Sequence, residues 1–302
     1  CHAQMYIMGI ILRHGSEYQK KKYLPMISDG QLKLQAFGVT EPTSGSDTSS
    51  LKTKAVLEEN NYIINGQKIW TSRAAYSDLM IILARTTPIN KNEKRTKGLS
   101  VFLVDMRKEK DNSIKIKPIK TMMNHSTTSV FFDNLIVPKE NLIGFEGEGF
   151  KYILSGLNAE RILISAECIG DAKWFIEKAR DYSINREVFG RPIGMNQGIQ
   201  FPIAKAYSKM RAAELILNEA IRLYDEGKNC GEEANLAKLL CSEASTEAGE
   251  VCLQTFGGFG FAKEFDVERK YRENKLYQTA PVSSNLILSY IGEHILKMPR
   301  SY

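Results

Sequence analysis

The chain has 302 residues, of which 43% are hydrophobic and 25% charged, and its formal net charge is +6. That length allows one large domain or two smaller ones with cores of their own, and the composition excludes disordered and fibrous classes. The basic residues are scattered, with clusters only at Lys20–Lys22 and Lys108–Lys110. No zinc-finger, basic-zipper or RNA-binding pattern accompanies them, which sets nucleic-acid binding aside.

The longest apolar runs, Leu79–Ala84 and Leu99–Val104, are strand-sized, so no membrane span is expected. Five cysteines form no Cys-x-x-Cys pair, and the four histidines lack ligand spacing. A reduced intracellular protein with no metal site is the simplest reading. The opening Cys1-His2-Ala3-Gln4 has neither an initiator Met nor a signal-peptide pattern. It reads as the middle of a helix, and the expectation is an N-terminally incomplete chain.

Three segments differ in periodicity. Residues 1–35 read as helix, with Met5, Met8, Ile11 and Leu12 at helical spacing and Ser16 placed to cap a second helix from Glu17. Residues 36–145 carry short apolar runs bounded by turn residues, which predicts an antiparallel β-domain, a sandwich or small barrel. Within it, Asn65-Gly66 between apolar stretches predicts a hairpin turn. Strands are predicted at Leu79–Ala84, Leu99–Val104, Ile114–Ile119 and Ser129–Phe132, with a polar loop at Pro88–Gly98. Residues 146–302 predict four long helices, at about 148–186, 196–226, 231–257 and 281–297, punctuated by glycines. The fold class is therefore α+β: an antiparallel β-domain between a helical N-terminal remnant and a C-terminal four-helix bundle.

Specific motifs fall on this order. Phe37-Gly38-Val39-Thr40-Glu41-Pro42-Thr43-Ser44-Gly45-Ser46-Asp47 resembles the aromatic-x-x-Thr-Glu-Pro-x-x-Gly-Ser-Asp signature of acyl-CoA dehydrogenases. Lys68-Ile69-Trp70-Thr71-Ser72, Arg186-Glu187-Val188-Phe189-Gly190 with Gln197 and Gln200 following, and Gln254-Thr255-Phe256-Gly257-Gly258 resemble further motifs of that family. The match runs in order over nearly the whole chain. It implies bound FAD, an acyl-CoA substrate, an electron-transfer flavoprotein as partner and a homodimer or homotetramer.

By the same resemblance, Trp70 forms an aromatic wall for the flavin. Thr40, Ser72 and backbone near Val39 supply donors, with Phe37, Gly45 and Ser46 in the same stretch. Arg186, Phe189, Gln197, Gln254 and Gly257-Gly258 meet the rest of the FAD, and Arg186 suits phosphate because its guanidinium is a fixed fork of donors. The mild positive charge of the chain suits an anionic coenzyme. No Gly-x-Gly-x-x-Gly fingerprint is present, so a Rossmann domain is not expected to hold the FAD. Taken alone, without the accompanying motifs, Trp70 reads rather as a core anchor and Thr40 and Ser46 as turn caps.

The reaction needs a carboxylate to take the α-proton. In most of the family it follows an Arg-Asp-x-Lys stretch, but the corresponding run here, Arg272 to Asn285, places Pro281 at that position. A minority of the family, including the isovaleryl and long-chain types, has instead a Glu directly before an Arg in the first bundle helix. Asn158-Ala159-Glu160-Arg161 matches that arrangement. The resemblance implies Glu160 as base, Asn158 and Arg161 as holders of the coenzyme A part, Ser46 near the acyl-thioester path, and Ser283 and Asn285 near the FAD.

Two readings of Glu160 stay open at this level. It is the base, or it is a solvent-facing helix charge sharing a face with Leu163, Ile164, Glu167 and Asp171. Pro281 has no N–H, while the resemblance implies a backbone N–H there and a flavin ribityl hydroxyl as the donors that polarise the thioester. Either a neighbour such as Val282 donates instead, or the ribityl hydroxyl carries more of the role. The implied activity is FAD-dependent dehydrogenation of an acyl-CoA in the cytoplasm, or in the mitochondrial matrix of a eukaryote. Two alternatives are a related flavoprotein, such as an acyl-CoA oxidase or desulfinase, and a non-catalytic binding protein.

Overall fold

A computed structural model describes residues 7–90, 92–108, 112–123 and 126–300. The expected helical role of Met5 falls outside the described residues, as do Cys1–Gln4 and Lys110. The chain divides into two compact units, residues 1–121 with 125–157 and residues 122–124 with 158–302.

The first unit opens with helices α1 (Met8–His14) and α2 (Glu17–Ser28). Ser16 caps α2: its hydroxyl accepts from the Gln19 N–H, and the Gln19 side chain accepts from the Ser16 N–H. This reciprocal box satisfies two N–H groups that a helix start leaves open. Strands β1 (Leu34–Gly38), β2 (Lys54–Glu58), β3 (Asn61–Ser72), β4 (Leu79–Arg85), β5 (Leu99–Asp105), β6 (Ile114–Ile119), β7 (Thr127–Pro138) and β8 (Leu142–Ile143) follow. They form one sheet in the order β6-β7-β3-β2-β4-β5-β8, with β1 pairing β4. The sheet is mostly antiparallel, but β1 runs parallel to β4, and β2 touches β4 in parallel at Lys54 and Arg85. The wholly antiparallel expectation is corrected to that extent.

Strands β4 and β5 are buried along their full lengths. Their alternate residues serve two cores, as the two-residue strand period requires. Leu79, Ile81, Leu83, Val101 and Leu103 pack with Ile10, Ile11, Tyr23 and Ile27 of α1 and α2. Met80, Ile82, Ala84, Phe102 and Val104 pack with Tyr62, Ile64, Val130 and Phe132 on the other face. Such strands read as continuous apolar runs because neither face meets water.

The hairpin expected at Asn65-Gly66 is absent. Strand β3 runs straight through both residues, and the β2–β3 turn is Glu59–Asn60. Gly66 serves a bulge instead: the β3–β7 register slips between Ile64 and Gly66, where φ is +152°. A Cβ there would lie 2.7 Å from the Thr53 Cα, so the glycine answers a close backbone approach.

The second unit is helical. Helix α3 (Gly149–Asn185) belongs to it from Asn158 onward and is followed by the small hairpin of β9 (Glu187–Val188) and β10 (Arg191–Pro192). Helices α4 (Gln197–Asp225), α5 (Gly231–Phe256), α6 (Val267–Asn274) and α7 (Ser284–Tyr290) complete it. The seam has heptad-like spacing and is rich in alanine: Ala206, Met210, Ala213, Leu217 and Ala220 of α4 face Ala237, Cys241, Ala244 and Ala248 of α5 in one cluster.

Helices α3 to α5 fall close to their expected bounds, but the fourth does not. It is α7, which ends at Tyr290 and passes into a single π turn at Ile291–Ile295. The unexpected α6 has few apolar residues and is tied along its surface by Glu268–Arg272 and Arg269–Glu273 pairs one turn apart.

A buried ion pair lies inside the first unit. Lys68 of β3 has no exposed surface, and its Nζ donates to Glu41 Oε1 at 2.9 Å and to the Val39 carbonyl at 3.1 Å. The Glu41 carboxylate also accepts from the Lys52 and Thr53 N–H groups, at 2.6 and 2.8 Å. Burial pushes the Glu41 carboxyl up, but Lys68 and these hydrogen bonds outweigh it and hold the group below its ordinary value. Burial brings Lys68 down to about 8. Removing one partner of a buried ion pair costs about 3–5 kcal/mol, so Glu41→Ala is expected to lower the urea-unfolding free energy by that order. Because the folded carboxyl sits low, its contribution is complete above the ordinary carboxylate range and is lost as pH falls through the folded value. Acid titration of stability is expected to be flatter in Glu41→Gln than in the wild type.

Candidate functional site

In the first unit, sheet pairing brings Phe37, Val39, Thr40 and Trp70 together. Phe37 ends β1 opposite Ile81 of β4, half-buried against the α1–α2 core. Beyond it the chain runs beside β3, where the Ile69 N–H donates to the Thr40 carbonyl at 2.9 Å and Lys68 holds the Val39 carbonyl. The β3–β7 register slips again between Lys68 and Thr71, and Trp70 sits in that irregularity with φ at +59°. A bulky residue in the left-handed region costs about 1–3 kcal/mol and persists only where its surroundings hold it. The result is an indole that is 57% exposed, not the core anchor that the residue alone allowed.

The turn from Glu41 to Ser50 is closed by other side chains than the two considered as caps. The Ser44 hydroxyl donates to the Asp47 carbonyl at 2.6 Å, the Ser50 hydroxyl to the same carbonyl at 2.9 Å, and the Thr48 hydroxyl to the Gly45 carbonyl at 3.1 Å. Among the described residues, the Thr40 and Ser46 hydroxyls have no hydrogen-bond partner. Gly45 and Ser46 lie exposed on the turn, and a Cβ on Gly45 would meet nothing within 4 Å. Ser72 is half-buried at the end of β3, opposite Thr127.

In the second unit, Glu160 is only 7% exposed. Ile164 and Asp171 on the same face of α3 are buried too, so this is not the solvated stripe that the sequence also permitted. Arg161 is held beside it: its Nη1 donates to the Asn158 Oδ1 at 2.9 Å. Burial pulls the Arg161 guanidinium below its ordinary value, against the neighbouring Glu160 charge, which pulls it up.

The sequence reading missed two residues here. Cys230, just before α5, is buried beside Asn158, and burial pushes its thiol up. Lys238 of α5 has no exposed surface and donates to the Val282 carbonyl at 2.6 Å. The available signal was the run Ala234, Ala237, Cys241, Ala244, which places residue 238 on the buried stripe. The thiols of Cys241 and Cys252 are pushed up to about 12 by burial, which makes them core residues, not nucleophiles.

A second group of predicted residues gathers at the far end of α3. The Arg186 guanidinium lies 5.7 Å from the centre of the Phe259 ring, and Tyr182 stacks on Phe256 at 4.1 Å. Arg186 is thereby brought to the Gly257–Gly258 bend. Gly257 caps α5 with φ at +57°, and a Cβ on either glycine would meet nothing within 4 Å. Phe189 and Gly190 form the β9–β10 turn, both with positive φ, and Phe189 is fully exposed. Gln197 starts α4 and Gln254 lies in the last turn of α5, both exposed. The Ser283 hydroxyl caps α7 by accepting from the Leu286 N–H, and Asn285 is exposed in the first turn. A groove of about 800 Å³ lined by Ile176, Ile184, Ile203 and Tyr207 contains neither group.

Among the described residues, no three His, Cys, Asp or Glu side chains are grouped to hold a metal ion. No helix among them is long and apolar enough to cross a membrane.

Comparison with known proteins meets these residues. The acyl-CoA dehydrogenase middle-domain model matches residues 36–135, and the acyl-CoA dehydrogenase C-terminal-domain model matches residues 147–296. An acyl-CoA dehydrogenase of Bacillus subtilis is 37% identical over 286 residues, covering 95% of this chain and 74% of the relative. The caffeyl-CoA reductase-Etf complex subunit CarC of Acetobacterium woodii is 34% identical, over 96% of this chain and 75% of its own. The structure of butyryl-CoA dehydrogenase from Megasphaera elsdenii superposes with a TM-score of 0.90 at 30% identity, covering 98% of this chain and 76% of that one. The chain belongs to the acyl-CoA dehydrogenase family and is an oxidoreductase with that family's mixed α+β fold.

Proposed function

We propose that the protein dehydrogenates an acyl-CoA thioester to the trans-2-enoyl-CoA, with Glu160 as the base, FAD as the hydride acceptor and an electron-transfer flavoprotein as the next electron carrier. The observation that carries this reading is the burial of Glu160 beside Arg161 in a helix where solvated charge was the alternative. A carboxylate screened from water by its fold is suited to remove a weakly acidic proton.

The residues present fit FAD. A flavin needs an aromatic wall and a few fixed polar groups, and the first unit offers an outward Trp70 with the Thr40 and Ser46 hydroxyls open among the described residues. A pyrophosphate needs a cation and room for close backbone approach, and the second unit offers Arg186 next to Gly257 and Gly258. When bound, FAD supplies the two-electron acceptor for the hydride leaving the β-carbon. The chain's own part is to remove the proton. The Glu160 carboxylate takes it from the α-carbon, and the α-C–H electron pair forms the new double bond as the β-hydride departs.

Asn158 and Arg161 hold the coenzyme A part, and Ser46 lies along the thioester path. Gln197, Gln254, Phe189, Ser283 and Asn285 complete the contacts to FAD, with Phe37, Val39, Gly45 and Ser72 shaping the flavin wall. A homodimer or homotetramer and a cytoplasmic location, or the mitochondrial matrix for a eukaryotic source, accompany this reading.

Anaerobic mixing of the FAD-loaded protein with saturated acyl-CoAs of graded length is expected to bleach the flavin. Glu160→Gln is expected to slow the bleaching about 10²–10⁴-fold, the range for loss of a general base. An unaltered rate in that variant would overturn the assignment of the base, and no bleaching with any thioester would overturn the reaction. Rapid oxygen consumption or sulfite release would point to an oxidase or a desulfinase instead. Trp70→Gly removes an exposed ring and a left-handed strain, so thermal stability is expected to hold or rise while FAD retention after gel filtration falls. Undiminished retention would sink the wall assignment.

A further inference from the structure

Lys238 is out of place by the ordinary rules of burial. It lies mid-helix in α5, one turn from Ala234, Asn235, Cys241 and Ser242, all buried, and is itself 0% exposed. A buried ammonium without a counter-charge is costly. Among the described residues no carboxylate lies within ion-pair distance of it, and its one hydrogen bond goes to the Val282 carbonyl at 2.6 Å. Burial holds the group down to about 8, and its electrostatic neighbours are the neutral, buried Cys168 thiol and the Arg161 guanidinium. Stability alone gives no reason for a lysine here, since an apolar side chain of similar length would fill the space without the penalty.

The acceptor of that bond sits at a particular place. Val282 follows Pro281, the residue standing where most of the family has its carboxylate, and Pro281 has no N–H. A trans peptide is planar, with its C=O and N–H pointing opposite ways. Turning the Val282 carbonyl toward α5 therefore turns the Ser283 N–H away from it. Neither the Val282 nor the Ser283 N–H has a hydrogen-bond partner among the described residues, and the Ser283 side chain starts α7. Arg161, half-buried and within electrostatic reach of both Lys238 and Glu160, adds a second cation. Cations placed close to a reacting group favour negative charge developing on a bound substrate.

We propose that Lys238 is a positioning residue for the reaction: by holding the Val282 carbonyl it presents a backbone N–H after Pro281 to the thioester carbonyl, replacing the donor that proline lacks. This inference rests on the dehydrogenation reading above. It predicts that the lysine acts through the peptide and not by touching the substrate.

The test uses the FAD-loaded chain as wild type, Lys238→Met and Lys238→Arg, in two arms. Without any thioester, amide hydrogen exchange over residues 282–287 is expected to rise at least about tenfold in Lys238→Met, with no loss of melting temperature. In Lys238→Arg, which keeps a charged donor, exchange is expected to stay near the wild type. With the best saturated acyl-CoA, single-turnover flavin reduction is expected to slow about 10²-fold in Lys238→Met, the scale for losing one such donor. The Kd for the thioester is expected to change little, and Lys238→Arg is expected to recover most of the rate.

Unchanged exchange in Lys238→Met overturns the positioning role whatever the rates are. Raised exchange with an unchanged rate overturns the link to the thioester. A drop in rate that follows only a loss of melting temperature and FAD content, equal in both variants, shows a purely structural lysine. If Lys238→Met does not accumulate, Lys238→Gln is read against the same limits. A wild type that reduces with no acyl-CoA refutes the dehydrogenation reading, and the exchange arm still decides the hold on Val282.

Discussion

The first unit is organised around one buried ion pair. Lys68 and Glu41 meet inside the protein, and the groups that satisfy them come from three stretches of chain: the exit of β1 at Val39, the start of β2's approach at Lys52 and Thr53, and β3 itself. A buried charge must keep its partner or unfold its surroundings. None of the three stretches can shift without stranding an ammonium or a carboxylate. Trp70 lies two residues past Lys68 in a conformation that its own side chain disfavours, and this fixed point just before it is what makes the conformation affordable. The exposed indole follows from the buried pair.

The second unit uses charge differently. Its seam is built largely from alanine and cysteine, with Met210 and Leu217 between them, and the small side chains let the helices approach closely. The same unit holds three charged side chains, Glu160 and Lys238 buried and Arg161 half-buried. Arg161 is steadied by Asn158 one turn before it, and Lys238 by a carbonyl across the unit. These groups diminish stability where they stand, and a protein that retains them is spending core on something other than cohesion.

Much of this was legible in the residues. The long apolar runs of β4 and β5 read correctly because both faces of those strands are covered, and α3 to α5 read correctly because their small-residue stripes recur at helical spacing. The failures are local signals overruled by distant partners. Asn65-Gly66 is a turn pair in isolation, but β3 must continue past it to reach β7, and Thr53 presses on the glycine from the neighbouring strand. Helix α6 escaped because its sequence is charged almost throughout, with Val267 as its buried apolar contact. Glu160 was ambiguous because its face mixes Ile164 with Glu167 and Asp171, and only packing decides that Asp171 is buried. Lys238 was missed for the opposite reason: a lysine in an alanine-rich helix normally points to water, and that rule hid its place on the buried stripe.

The pairing order of the sheet has a consequence for the sequence of events in folding. Helix α4 packs on α5, its neighbour along the chain, whereas β1 waits for β4, and β3 completes its ladder only with β7, pairing Asn61 with Pro138. Closing long loops is entropically slow, and topologies rich in distant pairings form later than local ones. The helical unit is therefore expected to form first and the sheet later. Contacts made late stand outside the transition state, so they govern how slowly the native protein opens more than how quickly it forms. Lys68 of β3 and Glu41 beyond β1 lie on stretches that those distant ladders fix, and so belong to the late set. On this view the pair acts less as a guide to the fold than as a latch on its lifetime.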